Sequence, residues 1–261
     1  MLISVWPSHW GRPARSNATM AAAAVVLVVT LASLSTLLSW LPEPIGSNAA
    51  KFSEGARMTL WLSLCSGAIG VVLGVVAALG RTSRHWALRQ IASFYIWVIR
   101  GTPLLVQVLF VYFALPEFIP AAKQLPDFAC AVIALSLNVG AYNAEAVRAG
   151  LLAIPRGQTE AARALGLGRP HVFMDVVFPQ AFKISLPALV SNFIGLMKDS
   201  SLAYTIGIVE LTNVGQTLQA ATFLPIPSLA TTACIYLLLT TLMTQFSNAI
   251  EHKVDVEGRQ K

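Results

Sequence analysis

MTLWLSLCSGAIGVVLGVVAALG, residues 58–80, holds no charged side chain and is bounded by Arg57 and Arg81. A hydrocarbon core about 30 Å thick needs about 20 apolar residues at about 1.5 Å of rise each, so this run predicts a membrane-spanning helix. Two further stretches are free of charge, one between Arg15 and Glu43 and one between Glu210 and Glu251, the latter long enough for a span and an external loop. Three more read as spans with interruptions. Gln90 to Pro116 carries only Arg100, at a Gly101-Thr102-Pro103 break. The run from Phe128 ends in Glu145 and Arg148, and Ile184 to Val209 is interrupted by Lys198 and Asp199.

Composition agrees with this reading. Of the 261 residues, 56% are hydrophobic and 11% are charged, against about 25% charged in soluble domains. A soluble globular chain is excluded, and so is a disordered one, which needs the opposite balance. The net charge of +6 then belongs to basic cytoplasmic loops rather than to a nucleic-acid surface, and no nucleic-acid partner is expected. Cys65, Cys130 and Cys234 lie far apart in apolar runs, which suggests small core residues and neither a disulfide framework nor a metal site.

Lys and Arg collect on alternate loops. With both termini cytoplasmic, thirteen lie inside (Arg12, Arg15, Arg81, Arg84, Arg89, Arg148, Arg156, Arg163, Arg169, Lys183, Lys253, Arg259 and Lys261) and three outside (Lys51, Arg57 and Lys123). That bias fixes the orientation. The expected partition is a cytoplasmic N-terminal segment over 1–18, an extra N-terminal helix over 19–41, a membrane domain over 56–250 with a cytoplasmic loop at about 151–181, and a cytoplasmic tail over 251–261. A signal peptide is the alternative for the first helix, but its uncharged run of 27 residues is longer than a usual signal core.

The 151–181 loop is the only long polar stretch, and a loop of that length inside a bundle is usually functional. Thr159 or Pro155 can start a short helix there, and Gly166 or Gly168 can end it in the left-handed conformation. Such a slim, Ala-rich helix suits either docking on a cytoplasmic partner or a solvated cap on the bundle.

Glu160-Ala161-Ala162, three residues, Gly166, nine residues, then Val176-Val177-Phe178-Pro179 resembles the EAA-xxx-G-x9-I-x-L-P coupling motif of permease subunits in bacterial ABC importers. Val176 and Phe178 stand where Ile and Leu are usual. Arg100 to Gln107, Ser136 to Glu145, Pro179-Gln180-Ala181 and Leu196 to Leu202 are similar to the polar amino-acid branch of that family, which handles His, Gln, Glu, Arg or opines. The resemblance covers roughly Arg57 to Glu251. It implies an all-α integral membrane protein with the transmembrane fold of type I ABC importers, five core helices plus one extra N-terminal helix, in the bacterial cytoplasmic (inner) membrane.

It also implies partners and roles. Two permease subunits, identical or paired with a sister chain, would enclose a pathway for a polar amino acid within membrane lipid. Cytoplasmic ABC ATPase subunits would dock on Glu160, Ala161, Ala162, Gly166, Val176, Phe178 and Pro179, and an extracytoplasmic amino-acid-binding protein would deliver substrate. This chain has no G-xxxx-GK-[ST] phosphate loop, so ATP and Mg are expected on the partner ATPase; no enzymatic activity, metal or cofactor of its own is expected.

Ionisable groups at membrane depth tend to face a pathway or a partner. Asp199 and Glu145 are candidates for the substrate ammonium or a cationic side chain. Tyr142 and Asn138 share the helical face of Glu145, and Asn138, Thr102 and Ser200 offer neutral hydrogen bonds. The competing reading makes Lys198-Asp199 and Glu145-Arg148 ion pairs that fix packing. At Gly101-Thr102-Pro103 the chain either bends a span around a cavity or ends an interfacial helix before the true span. Gly67, Gly70, Gly74 and Gly80 have the small-residue character of close helix packing. An intramembrane enzyme finds no support: His9, His85, His171 and His252 fall in loops or tails and no HExxH occurs. A secondary, ion-coupled transporter would explain Lys198-Asp199 but would leave the coupling motif without purpose.

Overall fold

In the computed structural model the backbone is described for residues 12–259 and the side chains for 17–250. Of the expected cytoplasmic ends, residues 1–11 and 260–261 lie outside the described residues. The described chain is helical throughout its long apolar runs: α1 (Arg12–Ser39), α2 (Ala49–Thr82), α3 (Trp86–Gly101), α4 (Leu104–Phe118), α5 (Asp127–Leu152), α6 (Arg156–Ala164), α7 (Phe178–Asp199), α8 (Leu211–Thr222) and α9 (Pro225–Arg259). Of these, α1, α2, α5, α7 with its flanking turns, and α9 are long and apolar enough to cross a membrane, and α3 with α4 forms a further pair bent by 111°.

The pair α3–α4 breaks at the Gly101-Thr102-Pro103 interruption expected in the run from Gln90 to Pro116. Pro103 has no N–H to continue the ladder, and Thr102 is extended at φ −120°, ψ 148°. Two side chains satisfy carbonyls at the end of α3: Thr102 Oγ1 donates to the Val98 carbonyl (2.9 Å), and Gln107 reaches across the break. Gln107 Nε2 donates to the carbonyls of Ile99 (2.7 Å) and Thr102 (3.1 Å) and to Thr102 Oγ1 (2.9 Å). Asn138 Nδ2 on α5 in turn donates to Gln107 Oε1 (2.9 Å). The bend is therefore held from α5; α3 is a separate helix with exposed Trp86, Ile91, Phe94 and Trp97, and the turn borders a cavity, as the bent-span reading expects.

Close packing of α2 on α5 and α7 rests on absent side chains. A Cβ on Gly74 would stand 3.1 Å from the backbone nitrogen of Ala144, and one on Gly67 would stand 2.7 Å from the Phe193 ring. The glycines are packing positions, as expected. One core gathers Leu34 and Leu38 of α1, Phe52 and Leu60 of α2, Leu211 of α8 and Leu239 of α9. Another joins Leu62 of α2, Val108 of α4, Leu135 and Val139 of α5 and Leu196 of α7. Polar bonds cross these contacts: Tyr95 Oη donates to the Leu137 carbonyl (2.6 Å) and Asn192 Nδ2 to Asn143 Oδ1 (2.9 Å). Cys130 is buried and Cys65 half-buried, but Cys234 is exposed on α9 and is not a core residue.

The loop expected after Glu210 is instead the helix α8, and Glu210 is its cap. The carboxylate is fully buried and accepts from the backbone N–H of Thr212 and of Asn213 (2.8 Å each) and from Tyr236 Oη of α9 (2.8 Å). Thr59 Oγ1 of α2 accepts from the Leu211 N–H (3.2 Å) beside it. Burial pushes this carboxyl above its ordinary range, and the N–H donors and Tyr236 pull against the rise. A raised native pKa means that the folded state binds the proton more tightly than the unfolded one. Stability should then fall as pH rises from the ordinary carboxylate range, about 4, through the raised value. Thermal unfolding of the purified protein across that window should show this slope, and Glu210→Gln should flatten it.

Candidate functional site

The helices position a cavity of about 350 Å³ against the break in α3–α4. Thr102 and Pro103 line one side, Asn138 and Tyr142 of α5 a second, and Ser191, Asn192, Gly195 and Asp199 of α7 a third. The cavity thus gathers Thr102, Asn138, Tyr142 and Asp199 from sequence positions nearly a hundred residues apart. Asp199 is exposed, and the ion pairs among the described residues do not include it. Lys198 acts on the Asp199 carboxylate electrostatically, but no direct ion pair joins the two, so the carboxylate is presented to the cavity with no ion-pair contact.

Two of the residues named as pathway candidates do not line this cavity. Ser200 is fully buried, and its hydroxyl donates to the Met197 carbonyl (2.9 Å). The chain tightens into a 3₁₀ turn over Ser200–Ile206, which turns Ser200 into the core while Asp199 stays at the cavity. Glu145 is held by Arg81 of α2 and by Arg148, whose Nη2 lies 2.8 Å from Oε2. It sits in an ion-pair cluster and not at the Asp199 cavity. Arg148, three residues on, is an expected partner; Arg81 is not foreseeable from local spacing.

The coupling motif also takes shape. Pro155, not Thr159, precedes the helix α6; Thr159 Oγ1 instead donates to the Arg156 carbonyl (2.7 Å) inside it. At the other end Gly166 is left-handed at φ 82°. Its N–H donates to the Arg163 carbonyl (2.9 Å) and the Leu167 N–H to the Ala162 carbonyl (3.1 Å). This is the pair of reversed bonds that closes a helix on a left-handed glycine. Glu160 and Ala161 are exposed while Ala162 is buried, and Leu165 is 83% exposed at the tip. The helix packs against the wide-turned segment Val172–Val177, which runs directly into α7. Val176 and Phe178 are half-buried along that segment and Pro179 is exposed in the first turn of α7.

Residues 70–256 match the family of binding-protein-dependent transport system inner membrane components. The chain belongs to this family. The permease is 39% identical over 203 residues to the glutamine transport system permease protein of Escherichia coli K12, a match covering 78% of this chain and 92% of that one. It is 39% identical over 201 residues to the arginine transport system permease protein of Bacillus subtilis, covering 77% and 91%. A crystal structure of an amino acid ABC transporter superposes with a TM-score of 0.73 at 37% identity, over 79% of this chain and 95% of that one. The fold is that of an ABC importer transmembrane subunit, and α1 precedes the matched region.

In the permease, four site residues were not singled out from sequence. Ser191, Asn192 and Gly195 join Asp199 on the cavity wall, and the spacing of Asn192, Gly195 and Asp199 is that of one helical face. Gln107 stood in a quoted motif, but its role as the clip of the broken helix depends on Asn138, 31 residues away.

Proposed function

We propose that this chain is the membrane-spanning permease subunit of an ATP-driven amino-acid uptake system. The observation that carries the reading is the mechanical continuity from α6, through Val172–Val177, into the cavity-lining α7. Motion of a partner seated on α6 would reach the wall that holds Asn192, Gly195 and Asp199. Pro187 inside α7 removes one hydrogen bond from that lever and gives it a place to flex.

The permease works with cytoplasmic ABC ATPase subunits that bind ATP and Mg, with a second permease subunit, and with an extracytoplasmic amino-acid-binding protein. It lies in the bacterial inner membrane with both termini cytoplasmic, as the Lys and Arg bias supports. Asp199 faces the substrate ammonium or a cationic side chain, and Asn138 and Thr102 face its neutral groups. The identity with permeases named for glutamine and arginine favours this reading over an ion-coupled secondary transporter.

Leu165 is the apolar tip of α6, and its burial in an ATPase groove would contribute roughly 2 kcal/mol. Purification of the tagged chain from native membranes should recover an ATPase subunit in stoichiometric amount. Leu165→Asp should strip that subunit away while the permease still inserts. Retention of the ATPase by Leu165→Asp would place the docking surface elsewhere.

A further inference from the structure

Two cavities meet at Tyr142. One holds Asp199; the other, about 450 Å³, lies between α2, α3 and α5 and is bordered by Arg81, Trp97, Arg100, Tyr142 and Glu145. In the second, Glu145 already serves Arg81 and Arg148. Arg100 has no ion-pair partner among the described residues, and its guanidinium carbon rests 5.2 Å from the centre of the Tyr142 ring. Two guanidinium groups thus share one carboxylate, and the third has none. A guanidinium at membrane depth is held there by water, an aromatic face or an anionic ligand, and its planar fork matches a carboxylate.

We propose that Arg100 takes the α-carboxylate of the substrate, with Tyr142 as the shared wall past which an amino acid moves from the Asp199 cavity to the arginine cavity. The inference rests on the amino-acid permease reading and adds a second binding position to it. An α-amino acid carries ammonium and carboxylate on one carbon. A path with a free carboxylate on one side of an aromatic wall and a free guanidinium on the other selects zwitterions over simple amines. While the second cavity is empty, the guanidinium over the ring holds Tyr142 in place; an arriving carboxylate competes for that guanidinium and releases the ring. Gly101 at the second cavity and Thr102 at the first put the break of α3–α4 at the same passage.

The test uses the purified permease–ATPase complex in phosphatidylcholine nanodiscs, without the binding protein, which would impose its own selectivity. Equilibrium binding is measured for radiolabelled L-arginine and L-glutamine and for their decarboxylated counterparts, agmatine and 4-aminobutanamide. Arg100→Gln should weaken binding of the acids about tenfold or more, the loss of a charge-assisted hydrogen bond, and leave the amines unchanged. Arg100→Lys, which keeps the charge, should recover part of the loss. Equal weakening of acids and amines overturns the proposal, because Arg100 then only supports Tyr142. Binding of the acids that Arg100→Gln leaves intact overturns it too; if the same variant loses copurified phosphatidylglycerol, the anion at the site is a lipid phosphate. A wild-type complex that binds neither acid likewise overturns it. ATP-dependent uptake by wild-type proteoliposomes is scored separately, so that failure of the permease reading is distinguishable from failure of the Arg100 assignment.

Discussion

Gly74→Leu abolishes the folded permease. Its Cβ alone would stand 2.5 Å from Asn143 Cβ and 3.1 Å from the Ala144 backbone nitrogen, and a backbone cannot swing aside as a side-chain tip can. Overpacking a tight core costs about 1–3 kcal/mol and occasionally more. Here three further carbons must be placed where α2 and α5 already touch. Separation of those helices also pulls Asn143 from Asn192, one of the hydrogen bonds between α5 and α7, so the damage spreads to the cavity wall. Detergent-solubilised Gly74→Leu should aggregate on size-exclusion chromatography and lose its cooperative thermal transition. A Cβ on Gly101 meets nothing within 4 Å, and Gly101→Ala should unfold at close to the wild-type temperature. Normal stability of Gly74→Leu would mean that the α2–α5 contact is looser than described.

Asp199→Asn slows uptake by roughly 10- to 100-fold, the effect of losing a charge-assisted hydrogen bond of about 1.5–3 kcal/mol. The carboxylate stands at the cavity without a direct ion-pair contact, so its replacement by an amide of similar size breaks no ion pair. Protein yield and unfolding temperature should therefore stay near wild type while transport falls. The opposite pattern, intact substrate affinity with a lower yield, would make Asp199 a packing residue. Glu145→Gln contrasts with it: Arg81 and Arg148 lose their shared acceptor, and removing one partner of a clustered ion pair costs stability.

The spans, their breaks and the short helix α6 were legible in the sequence because each is a local matter. Charge-free runs mark helices, Pro103 stops a ladder, and Gly166 supplies the left-handed residue that ends α6. What sequence reading left open depends on distant partners. The angle of the α3–α4 bend is fixed by Gln107 and Asn138 together. Ser200 parts from Asp199 because the chain tightens into a 3₁₀ turn directly after it. Glu145 stands apart from the Asp199 cavity because Arg81 reaches it from α2. Glu210 served in the sequence only as the edge of an apolar run, and its part in tying α2, α8 and α9 together emerges from bonds to Thr59, Thr212, Asn213 and Tyr236.

The central claim is that substrate moves through this chain at the expense of ATP hydrolysed by a partner docked on α6. It is tested most directly by uptake of radiolabelled amino acid into proteoliposomes holding the copurified complex, with ATP enclosed and binding protein outside. Accumulation that requires both, and that Leu165→Asp removes, is the predicted result. Accumulation driven by a proton or sodium gradient, with no ATPase subunit present, would contradict the account.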